Sequence, residues 1–111
     1  MLDERKQIAE TILAQLGGHR FIAMTGATSF SHGQFKDGAG LSFRLPKTPK
    51  GAWTGARIVL LPSDTYSVTF LKLAGSFKKG DMRMIEDEHD GIYADSLREV
   101  FTRATGLETS L

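Results

Sequence analysis

Three histidines, one run of acids, and a scatter of lysines and arginines carry most of the chemistry available to this 111-residue sequence. His19, His32 and His89 stand at no i, i+4 spacing, so they form no helical metal pair. No cysteine is present, which removes a thiol nucleophile, Cys-ligated zinc and a redox couple. The run Glu86-Asp87-Glu88-His89-Asp90 lacks the alternating ligands and central glycine of an EF-hand loop; it reads as a solvated lead-in to a helix. Ser29, Ser31 and His32 lie close together, yet the G-x-S-x-G turn that exposes a nucleophilic serine is missing. Gly38-Ala39-Gly40 has neither the Gly-Lys-Ser/Thr ending of a P-loop nor the spacing of a dinucleotide fingerprint, and reads as a turn. Asp37, Asp64 and Asp81 each neighbour Gly or Ser, which is turn chemistry rather than a catalytic carboxylate pair. The expectation is a non-enzymatic protein without metal or cofactor.

Charge distribution is the feature that remains. Residues 1–19 hold two basic and three acidic side chains, 20–83 ten and three, and 84–111 two and seven, giving net charges of −1, +7 and −5. The central basic residues Arg44, Lys47, Lys50, Arg57, Lys72, Lys78 and Lys79, with Arg83 beside the last cluster, are expected to form a basic sheet face or edge that holds the phosphates of a nucleic acid, single-stranded if Trp53 stacks, with Arg44 on the wet side of the sheet. Trp53 is the candidate for stacking on unpaired bases, followed by Phe30, Phe35 and Phe77. The competing reading has solubilising lysines in loops and Trp53 packed under its own loop. Asparagine is absent and only three glutamines occur, so adenine readout is poorly provided for and binding should be largely sequence-independent.

The elements that must position these residues follow from periodicity. Ile8, Ile12, Leu13 and Leu16 share one face of a helix predicted over 3–16, with Asp3 and Glu4 in its first turn and Gly17-Gly18 closing it. Tyr93, Leu97, Val100, Phe101 and Ala104 predict a second helix over 91–105, capped by Asp90 and ended by Gly106. Between them the period changes to two. Leu41–Leu45, Arg57–Leu61 and Thr65–Leu73 read as strands, the last two joined by the turn Pro62-Ser63-Asp64. Arg20–Thr25 and Asp81–Glu86 are weaker strand signals, and Pro46–Gly51 is a loop. One domain is expected, of the α+β class, with N- and C-terminal helices packed on one face of a four- or five-stranded antiparallel sheet. Its core should hold Ile8, Ile12, Leu16, Phe43, Leu45, Val59, Val68, Phe70, Leu97, Val100 and Phe101. No apolar run approaches the length of a membrane helix, and the acidic start differs from a basic signal peptide, so a cytoplasmic protein without a membrane partner is expected.

The segments Gly17–Ala27, Leu41–Pro46, Asp90–Asp95 and Phe101–Leu107 together resemble a family of small uncharacterised bacteriophage, prophage and mobile-element proteins. The resemblance spans most of the chain, departs at 47–55, and carries over no catalytic residue. It implies a phage or prophage accessory protein. Nucleic acid is the first partner expected. The alternative is a host protein, docked and modulated through the same charge polarity, and self-association is a third use of it.

Overall fold

The computed structural model describes residues 4–35 and 38–109. Its elements run α1 (Glu4–Leu16), α2 (His19–Thr25), β1 (Thr28–Phe35), β2 (Gly38–Arg44), β3 (Gly55–Leu60), β4 (Tyr66–Ala74), β5 (Arg83–Ile92), a 3-10 turn Ala94–Ser96, and α3 (Leu97–Thr105). The fold is α+β, as the periodicity predicts: the helices lie on one face of a five-stranded antiparallel meander ordered β1-β2-β3-β4-β5.

α1 is amphipathic and buries Ala9, Ile12 and Leu16, while Ile8 is only half-buried. It ends where Gly18 donates its N–H to Leu13 at 2.9 Å, with Gly17 and Gly18 both at positive φ. The first-turn role given to Asp3 and the turn role given to Asp37 lie outside the described residues. Arg20–Thr25, expected as a strand, is instead the short helix α2. Its sequence fits both periods, since Phe21 and Thr25 are one helical turn apart and also share strand parity. Tertiary packing decides in favour of the helix: Phe21 is fully buried, and Gly26 closes the helix in the left-handed conformation at φ 72°.

Two further expectations are corrected along the sheet. Gly38-Ala39-Gly40 is not a turn but the start of β2. A Cβ at Gly38 or Gly40 would lie 2.2 Å from the Leu60 or Ile58 carbonyl oxygen, so glycine is what allows β3 to pair there. Glu86–Asp90 is not a solvated lead-in but part of β5, and Asp90 caps no helix. It accepts the Ser67 hydroxyl at 2.7 Å across the β4/β5 ladder, and α3 begins seven residues later at Leu97. Gly106 does end α3, its N–H on the Thr102 carbonyl at 2.8 Å.

The core lies between helices and sheet around an aromatic cluster. Phe21 meets Phe101 at 5.0 Å and Phe43 at 5.5 Å between ring centroids, and Phe70 meets Phe101 at 6.1 Å. Ile12, Leu16, Phe43, Leu45, Val68, Phe70, Leu97 and Phe101 are buried as expected. Val100 is half-buried. Val59 is buried, but it alternates with Ile58 and so belongs to the opposite sheet face, beside Arg57, Ser67 and Thr69.

Candidate nucleic-acid interface

The register fixes where the basic residues stand. Thr28, Arg44, Gly55, Leu71 and Glu86 form one row across all five strands. Below that row β2 leaves the sheet into the 45–54 loop, and β4 leaves it into the turn that returns as β5. Arg44, Lys47, Lys50, Lys72, Lys78 and Lys79 are therefore carried to one end of the sheet, together with Arg83. Arg57 lies inward of that row, paired with Ser42 and Thr69 on the face away from the helices. The candidates share an end of the molecule, not a face.

Each cation there has a distinct setting. Arg44, Lys47, Lys50, Lys78, Lys79 and Arg83 are exposed. Lys72 is half-buried; its ammonium donates to the Gly51 carbonyl at 2.7 Å and lies 4.6 Å over the Trp53 ring. Arg57 sits 5.5 Å from the centre of the Phe35 ring and 3.8 Å from Glu86 Oε1. Two acids near this end are held by neighbours: Asp81 Oδ1 accepts the Ser76 N–H at 2.6 Å, and Asp87 lies 2.9 Å from His89 Nε2.

The opposite end carries acids. A cleft of about 560 Å³ there is lined by Glu4, Asp64, Gln15 and Tyr66 among others. Burial raises the Tyr66 hydroxyl above its ordinary range; a hydrogen bond with Gln15 opposes this, and the Asp64 carboxylate adds to it.

Trp53 does not offer a stacking surface. It is only 9% exposed, its ring 6.1 Å from that of Phe70, and its backbone N–H donates to the Thr48 hydroxyl at 2.8 Å. Phe30 likewise packs on Phe43 at 5.3 Å. Phe77 is the exception among the proposed aromatics, 88% exposed in the β4–β5 connection. Around it are exposed apolar residues that periodicity does not single out: Leu73, Met82 and Met84. The readable signal is that Leu71 and Leu73 carry apolar side chains on the parity opposite to Val68 and Phe70.

Among the described residues no cluster of three potential metal ligands exists, and no helix is long and apolar enough to cross a membrane. No family model matches the chain, and no curated protein or solved structure proves significantly similar to it.

Proposed function

We propose that this is a nucleic-acid-binding protein that grips the phosphate backbone with the basic end of its sheet. One observation carries the reading: seven basic side chains, spread over 40 residues of sequence, are delivered to one end by the antiparallel register, while Glu4 and Asp64 line the other. Such an arrangement attracts a polyanion to that end of the sheet. Six of the seven cations are exposed and sit on long side chains that can follow a backbone, and pairing of this kind releases counterions without reading sequence. The resemblance to phage and prophage proteins gives the context of an accessory factor that binds rather than catalyses.

Fluorescence anisotropy with a labelled oligonucleotide tests the reading. Binding is expected at about 50 mM salt and should weaken steeply by about 200 mM. No binding at tens of micromolar protein would overturn it, and capture of a host protein in its place would favour docking on an acidic protein surface.

A further inference from the structure

β3 pairs with β4 only as far as Leu71, whose carbonyl accepts the Thr54 N–H at 2.9 Å. Beyond that point β4 and β5 continue as a two-stranded ribbon through the pairs Lys72↔Ile85, Leu73↔Met84 and Ala74↔Arg83. Three such pairs extend the ribbon by roughly 10 Å. The connection Gly75–Met82 forms its tip.

The tip is ordered by its own hydrogen bonds. Asp81 holds the Ser76 N–H through its carboxylate and donates its own N–H to the Ser76 carbonyl at 3.3 Å. Gly80 donates to the Phe77 carbonyl at 3.2 Å, which places Lys78 and Lys79 at the two corners of a β-turn. Phe77 is thus presented beside two lysines on a closed turn rather than on a free loop.

Four of the five large exposed hydrophobic residues of the described chain belong to this arm: Leu73 at 60%, Phe77 at 88%, Met82 at 38% and Met84 at 54%. A small domain rarely leaves so much apolar area on one projection without a surface to cover it. Lys78 and Lys79 stand beside Phe77 in the turn, while Lys72 and Arg83 lie on the ribbon face opposite to Leu73 and Met84. The combination calls for a partner whose outside is a polyanion and whose inside is apolar and open to a thin wedge. Stacked base pairs between two phosphate backbones have that character.

We propose that the β4–β5 arm enters a groove of double-stranded nucleic acid and drives Phe77 between adjacent base pairs, with Lys78, Lys79 and Arg83 on the flanking phosphates. This inference rests on the nucleic-acid reading above and adds to it the form of the ligand, a duplex, and the mode, local unstacking. Leu73 and Met84 cover the opened step from the side of the ribbon. Burial of Trp53 removes the platform a single-strand binder would use, so a duplex is favoured over unpaired strands.

The test uses the whole chain and a DNA duplex carrying 2-aminopurine, whose fluorescence rises when its base is unstacked, with anisotropy followed in parallel. The wild-type protein should bind and raise the fluorescence. Phe77→Ala should abolish the rise and weaken binding roughly five- to a hundredfold, the loss expected for one aromatic–base stack. Its thermal midpoint should be unchanged, because Phe77 contributes almost no buried area. Lys78→Ala with Lys79→Ala should weaken binding while the protein, at saturating concentration, still raises the fluorescence. Wild-type binding without a rise, or an unaltered Phe77→Ala variant, would overturn the wedge and leave the nucleic-acid reading standing. Failure to bind the duplex at all would overturn the wedge; whether single strands still bind then decides the fate of the broader reading. Partitioning of Phe77 into anionic vesicles in place of duplex binding would overturn it too, and would show that the apolar tip serves a lipid surface.

Discussion

At the scale of single residues, Trp53 is where a sequence reading and a folded chain part most clearly. A tryptophan flanked by prolines, glycine and lysines suits an exposed platform and a packed loop equally well. The decision lies with Gly51, at φ 77°, where a Cβ would stand 2.1 Å from the indole Nε1. Only glycine leaves room for the ring, and no periodicity reports that. Trp53→Ala is therefore expected to cost about 3–5 kcal/mol of stability in chemical denaturation while leaving nucleic-acid affinity of the folded protein intact. Tyr66 gives a second residue-level prediction. Its folded-state pKa lies above the ordinary value of 10.0, so the folded state holds the phenolic proton more tightly than the unfolded one. The associated stability is fully present below pH 10 and is lost as pH rises through the folded-state pKa. Thermal midpoints measured from about pH 9 to pH 11 should fall more steeply for the wild type than for Tyr66→Phe.

Among the elements, those with strong patterns are legible and those built on glycine and serine are not. α1, β3, β4 and the glycine-closed end of α3 all follow from apolar spacing. β1, with the sequence TSFSHGQF, has no alternation of hydrophobics, and it exists because β2 offers it an edge to pair with. The acidic run looks wholly solvent-facing until its two faces are separated. In β5 its alternate residues divide between the two sheet faces, so Glu86 and Glu88 stand beside Arg57 while Asp87 turns toward His89. The glycines of β2 carry the next prediction. Gly40→Ala should drive a methyl group into the Ile58 carbonyl and cost about 1–3 kcal/mol, read as a lowered denaturation midpoint. A variant as stable as the wild type would mean that β2 and β3 are not paired in this register. Phe101→Ala, in the aromatic cluster between sheet and helices, should cost more, about 3–5 kcal/mol.

For the molecule as a whole, charge polarity is visible in the sequence as a basic middle and an acidic C-terminal stretch, but its spatial form is not. The basic segment 20–83 runs through both faces of the sheet, so its total charge says nothing about direction. Direction comes from the antiparallel register, which brings the exit of β2, the 45–54 loop, the exit of β4 and the entry of β5 to a common end. The candidate interface is accordingly legible as a set of residues, and unreadable as a surface until the strands are ordered. The salt dependence of binding tests that surface most directly. Log affinity against log salt should be linear for the wild type, with a slope of about −5 if five or six cations meet phosphates. Replacing Lys47, Lys50, Lys78 and Lys79 together by Gln should reduce the steepness by about one for each phosphate no longer neutralised, while Lys6→Gln on α1 should leave it unchanged. An equal slope for the wild type and the fourfold variant would contradict the assignment of binding to this end of the sheet.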